Sequence, residues 1–315
     1  MNFPLTLAIN PYDHVRGLAP QGIDLTVLEL PIEEIFFRFT KFREWHASEM
    51  SFGKTVSLMA QAAPGIMPIP VFPSRVFRHS AIYLAEKSTI KQPQDLEGRK
   101  VGIPEWAQTA GIYVRGLLHH EYGVDLARVQ WYQAGVLQPG RMEKVKLHLP
   151  EGVRITALPE KSLAGMLASG ELDAVISARN PGGRRLFENY RELEEAYFRK
   201  TRIYPIMHVV VLRADAYERD RWIAMNLFKA FEAAKRESAQ RLVEIGLSHV
   251  PMPWLAEHAR RWRELAGEDF WPYGIEPNRP TLEAFVQYAH EQGVTPRRLR
   301  VEELFAPETR ESYKI

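Results

Sequence analysis

Three histidines and two carboxylates in this sequence have the types and placement to move protons: His14, His79 and His208, each at a predicted strand end, with Asp13 and Glu49. Histidine is the side chain that most readily exchanges a proton near neutral pH. Asp13 adjoins His14, and Glu49 sits in the string SEMS; either can orient an imidazole or accept a phenolic proton. The plainer reading is that each imidazole bonds a backbone carbonyl, that Asp13 caps its loop, and that Glu49 is partly solvated. Around these groups stand the cationic forks Arg16, Arg75, Arg78, Arg115 and Arg179, suited to carboxylates. The combination is acid–base chemistry on an anionic ligand. The histidines near Asp13 and Glu49 are also potential ligands for a divalent metal, but no His-x-His or H-E-x-x-H spacing occurs, so the sites are read without metal. His119 and His120 read as complements to a helix C-terminus, and His148, His249, His258 and His290 as surface or packing residues.

The elements that must position these groups centre on residues 101–124, VGIPEWAQTAGIYVRGLLHHEYGV. They read as a short buried strand, a Pro104-Glu105-Trp106 loop and a helix capped by Thr109, with Ala110, Val114, Leu117 and Leu118 as its apolar stripe. Gly123 suits the left-handed helix end. Such a helix presents unpaired N–H groups and its positive dipole end above the sheet edge, an anion site to which Tyr113 and Arg115 can add a phenol and a guanidinium. Ser51 heads a second predicted helix in the same way, and Ser177 and Arg179 follow a short strand at 174–176.

The 315-residue chain is long enough for two domains. Its 45% hydrophobic and 25% charged content is that of an ordinary globular protein. A net charge of +2 gives no reason to expect nucleic-acid or membrane-surface binding. With no cysteine, disulfides, thiolate catalysis and iron–sulfur clusters are excluded. The apolar run 5–9 lacks a basic flank and stops at Asn10-Pro11, so no secretory segment is read and a cytoplasmic location is expected.

Strands are predicted at 5–9, 23–30 and near 49–50, with helices after Pro31 and Ser51, a start typical of a parallel sheet flanked by helices. Beyond Arg221 the chain reads as almost wholly helical, at 222–243, 254–265, 281–292 and 301–305. The extended runs 80–85 and 207–213 are candidate crossings between lobes. They imply an α/β, two-lobed clamp: residues 1–85 and 206–315 form lobe 1 with a helical C-terminal part, residues 86–205 form an inserted lobe 2, and the active site lies in the cleft between them. His208, at one crossing, has a second reading as a tie between the lobes.

The strings PYDHVRGL, SEMSFGK, IPVFPSRVFRHSAIYL, DLEGRKVGIPEWAQTAGIYVRGLLHHEYGV, DAVISARNP, YPIMHVVVLR, WPYGIEPNRPTLEAFVQYAHEQGV and VEELFAP resemble the 4,5-dihydroxyphthalate decarboxylase family over nearly the whole chain. The resemblance implies the type 2 periplasmic-binding-protein-like fold, each lobe a mainly parallel sheet flanked by helices. It also implies a carboxy-lyase acting on a small aromatic carboxylate, and a homo-oligomer. Such chemistry protonates the ring carbon bearing the carboxylate and needs no redox, pyruvoyl or pyridoxal cofactor, because the ring is its own electron sink. Carboxylates are expected on the Thr109 helix terminus with Arg16, Arg75 or Arg115, and His14 or His79 is expected to deliver the proton. His46 stands where the family pattern has Asp, which leaves the substrate defined only as a hydroxylated aromatic acid. The alternative is a solute-binding or sensing protein of the same fold, without catalysis.

Overall fold

The computed structural model describes residues 2–310; the ends of the expected lobe 1, residue 1 and residues 311–315, lie outside the described residues. The strands are β1 (Phe3–Ile9), β2 (Ile23–Glu29), β3 (Ala47–Ser51), β4 (Ile66–Arg75), β5 (Ile82–Leu84), β6 (Lys100–Ile103), β7 (Gln130–Gly135), β8 (Ile155–Ser162), β9 (Ala174–Ile176), β10 (Arg184–Arg185) and β11 (Ile206–Arg213). The helices are α1 (Ile32–Phe42), α2 (Phe52–Met59), α3 (Thr109–His120), α4 (Leu163–Ser169), α5 (Tyr190–Thr201), α6 (Ala214–Arg219), α7 (Trp222–Val243), α8 (Leu255–Ala266) and α9 (Arg279–Glu291).

Two mixed, mainly parallel sheets result. The first has the order β2-β1-β3-β11-β4, and the second β10-β5-β9-β6-β7-β8. In the first, β1 is parallel to both β2 and β3, while the late strand β11 inserts antiparallel between β3 and β4. In the second, β6 runs parallel to β7 and β9. The central strands of each sheet are buried on both faces, which is why runs such as VVVL in β11 and VGI in β6 read as continuous apolar stretches rather than alternating ones. The expected first crossing needs correction. Residues 82–84 lie wholly in the second sheet, paired with β9 and β10, so the chain passes between sheets before β5. Likewise β11 lies wholly in the first sheet, and the return passage precedes Ile206.

One continuous apolar core joins the first sheet to α3 and α9, with a smaller cluster around Tyr83, Ala134, Leu163 and Leu172. The C-terminal helices are therefore part of the frame: α9 packs on α3 and α2, and α7 on the Asp13–Val15 turn. Gly116 of α3 faces the Tyr288 ring of α9 so closely that a Cβ there collides with it. Gly116→Ala is expected to destabilise the protein by about 1–3 kcal/mol through overpacking, measured by urea unfolding; an unchanged midpoint would show that the helices slide apart freely.

Among the described residues, no helix is long and apolar enough to cross a membrane.

Candidate active site

Between the two sheets lies a cavity of about 490 Å³. The carboxyl ends of β3, β6 and β9 open toward it, as do the segments that follow them, the usual ligand edge of an open α/β sheet. β11 runs the other way, so its first residues arrive at the same edge. His208 lies opposite Ser51 in the β11–β3 ladder and Val210 opposite Glu49. Glu49 is thus the diagonal neighbour of His208 on the same sheet face, within reach of a long side chain.

His208 Nδ1 lies 2.6 Å from Glu49 Oε1. The Tyr12 hydroxyl donates to the same oxygen at 2.7 Å, and the Asn10 N–H donates to Oε2 at 3.0 Å. Glu49 is wholly buried, whereas the His208 side chain is 20% exposed; the carboxylate is the inner anchor and the imidazole the cavity-facing group. Burial and the Glu49 charge push the Tyr12 phenol far up, so Tyr12 stays a hydrogen-bond donor. Phe36 meets the imidazole edge-on at 5.0 Å between ring centroids. With Nδ1 engaged by Glu49, Nε2 is the nitrogen free for a ligand. A carboxylate behind an imidazole fixes its tautomer and its orientation.

Beside His208, whose cross-strand partner is Ser51, the cavity wall offers helix N-termini and cations, groups suited to anions. The N-termini of α2 and α3 meet there: Ser51 Oγ and Thr109 Oγ1 are 3.0 Å apart, and the Gly53 N–H donates to Thr109 Oγ1 at 2.9 Å. Gly53 permits this approach, since a Cβ there would lie 2.6 Å from the Ala107 carbonyl. Ser51 and Thr109 both line the cavity, as do Arg78, Ser177 and Arg179. Ser177 Oγ accepts the Arg179 N–H at 3.0 Å and so turns the loop after β9 toward the site. Arg78 directs Nε and Nη2 at the Met207 sulfur, 3.2 and 3.0 Å away, and burial lowers its pKa to about 10, leaving it protonated at neutral pH.

Similarity to known proteins fits this arrangement. A 4,5-dihydroxyphthalate decarboxylase of Comamonas testosteroni is 35% identical over 325 residues, covering 99% of this chain and 98% of that protein. The chain belongs to the 4,5-dihydroxyphthalate decarboxylase family. A second 4,5-dihydroxyphthalate decarboxylase, of Pseudomonas putida, is 37% identical over 183 residues, 56% of this chain and 71% of that one. No family model matches. Among solved structures, the periplasmic aliphatic sulphonate binding protein SsuA of Escherichia coli superposes with a TM-score of 0.53 at 12% identity, covering 98% of this chain and 99% of that one. The desulfurization enzyme DszB gives 0.51 at 16% identity, with 98% and 97% covered. The fold is the type 2 periplasmic-binding-protein-like fold.

Not every candidate residue reaches the cavity of this family member. His14 lies one layer behind: its Nε2 is 2.9 Å from the Pro73 carbonyl, and its ring is sandwiched between Tyr12 and Trp271. Asp13 is drawn outward by Ser238 and Arg241 of α7, and Arg16 is a solvent-exposed side chain near it. Arg75 is buried on the Tyr204 and Pro272 carbonyls and Asn278 Oδ1, where it ties β4 to the segment before α9. Tyr113 accepts the Ile206 N–H at 3.1 Å at the return passage between sheets. Arg115 is wholly buried against Gln292 and Trp106. Thr109 is the first helical residue, Gln108 being the cap, so its hydroxyl serves Ser51 and Gly53. His46 bonds Thr6 and is absent from the cavity wall, so this departure from the family pattern does not reshape the wall directly.

His79 is a core histidine among Tyr122, Phe187 and Tyr197, and burial holds its pKa down at about 4. Its neighbour Glu194, which accepts the His79 N–H, is pushed up to about 7 by burial. Between pH 4.5 and 6.5 burial keeps both neutral, and their effects on stability oppose each other. The unfolded chain binds a proton at the histidine below about 6.5 that the fold refuses, so this stability is lost as pH falls toward 4. The fold binds a proton at the carboxyl below about 7 that the unfolded chain takes only near 4.5, so this stability is present in acid and lost as pH rises through 7. Glu194→Gln is therefore expected to remove an offsetting gain of roughly 2–3 kcal/mol and make unfolding free energy drop more steeply from pH 7 to 4.5 than in the parent. Parallel pH profiles from urea titrations would refute this.

Sequence reasoning passed over Tyr12, Phe36, Lys54 and Arg141, all now at the cavity or on the His208–Glu49 pair. Lys54 was within reach, three residues after the helix-heading Ser51. Arg141 lies in a loop without periodicity, and nothing local marks it. Among the described residues, no three His, Asp or Glu side chains cluster as metal ligands do.

Proposed function

We propose that the protein is a carboxy-lyase that removes carbon dioxide from a hydroxylated aromatic carboxylic acid such as 4,5-dihydroxyphthalate, with His208 as general acid. The observation that carries this reading is the His208–Glu49 pair: a buried carboxylate bonded to Nδ1 of an imidazole that faces a cavity also lined by helix N-termini and cations. The full-length similarity to a decarboxylase supports the same chemistry.

The carboxylates are drawn to Arg78 and the α2 and α3 N-termini. His208 Nε2–H passes its proton to the ring carbon bearing one carboxylate, and the hydroxyl para to that carbon carries the positive charge left on the ring. The carbon–carboxyl bond then breaks, its electron pair restores aromaticity, and carbon dioxide departs. Neutral His208 regains a proton from solvent, so one carboxylate and one proton become carbon dioxide and a C–H bond. Glu49, held in turn by Tyr12, stabilises the imidazolium before transfer.

The test is incubation of the purified protein with 4,5-dihydroxyphthalate in D2O. Carbon dioxide release and one deuterium on the vacated ring carbon of the 3,4-dihydroxybenzoate product are expected. Tight binding without carbon dioxide would overturn the reading in favour of solute binding or sensing.

A further inference from the structure

The cations around the cavity differ in what already neutralises them. Arg141 Nε is 2.6 Å from Glu105, which Lys144 also approaches at 3.5 Å. Arg179 is 3.1 Å from Glu33. Lys41 lies over the Phe37 and Phe42 rings at the outer edge. Among the described residues, the two half-buried cations lining the cavity that have no carboxylate within ion-pair distance are Arg78 and Lys54. Lys54 Nζ donates to the Lys144 carbonyl at 2.9 Å, which leaves two N–H groups unspent. Glu143, the acid on the same loop, forms no ion pair with it; its oxygens take the N–H groups of Trp106, Ala107, Lys144 and Val145. Burial lowers the Lys54 pKa, although Glu143 and Glu105 pull the other way from beyond ion-pair distance.

Leaving two partly desolvated cations unpaired is costly, and a ligand with one carboxylate can offset only one of them. Arg78 comes from the passage between the sheets and Lys54 from the first turn of α2, so the two charges are held by different elements around one cavity. We infer that Lys54 is a specificity residue that makes the cavity select a benzene dicarboxylate over a monocarboxylate, by supplying the second counter-charge. The inference rests on the decarboxylase reading for the identity of the ligand, but its test does not require turnover.

The experiment is calorimetric titration of the full-length protein with phthalate and with benzoate, neither of which carries the hydroxyl that the reaction needs. The parent is expected to bind phthalate at least about tenfold more tightly, the value of one charge-assisted contact. Lys54→Met, which keeps the apolar stem, is expected to erase that preference while leaving benzoate affinity within about twofold, and Lys54→Arg to restore most of it. Equal binding of the two anions by the parent, or equal weakening of both in Lys54→Met, overturns the inference. If the phthalate preference depends on Lys54 yet no hydroxylated substrate loses carbon dioxide, the dianion clamp stands and the decarboxylase reading falls.

Discussion

Replacing His208 with glutamine is expected to lower kcat by about 10²–10⁴, the usual worth of a positioned general acid, with little change in substrate affinity. Glutamine is neutral and has no proton to give to carbon, yet it can keep a hydrogen bond to Glu49 and so spare the fold. On the proposed mechanism, affinity rests on Arg78 and the helix termini, whose charges and N–H groups the change leaves in place. Single-turnover carbon dioxide release separates the chemical step from binding. A fall in kcat of less than about tenfold would move the acid elsewhere. The same substitution at His14 or His79 is the matching control. Neither ring lines the cavity, and each is expected to leave kcat within about threefold of the parent.

Arg115→Ala is the second large effect, and it falls on stability rather than catalysis. The guanidinium donates Nε–H to Gln292 Oε1 at 2.8 Å, bonds the Trp106 carbonyl through Nη2, and lies 3.8 Å over the Trp106 ring. Burial lowers its pKa to about 9, and its Nη1 has no protein partner. It nevertheless clamps α9 to the loop that leads into α3. Removing it orphans two buried acceptors and opens a void in a region that cannot readily collapse. A loss of about 3–5 kcal/mol is expected in urea unfolding. Under conditions where the variant remains folded, KM should stay close to the parent value. A raised KM with unchanged stability would instead restore Arg115 to the carboxylate site.

These two residues show how far local sequence reaches. The helix at 109–120 was legible from its stripe and its terminal glycine, and its N-terminus does face the cavity. The direction of Arg115 was not. Six residues beyond Thr109, it lies about 9 Å along the axis and well round the helix, so it meets α9 rather than the cavity. Asp13 failed for a similar reason: α7, more than two hundred residues later, supplies the Ser238 and Arg241 that turn it outward.

By itself, the sequence determined the α/β class, the two-lobed order of elements and a short set of proton-carrying and anion-binding side chains, because periodicity, caps and residue type are local properties. Only the tertiary structure decided which of those side chains share one space. The late strand β11 enters antiparallel beside β3, and that register sets His208 diagonal to Glu49 across a gap of 159 positions in the chain. Register depends on how the whole sheet packs, so no window of sequence around either residue contains it.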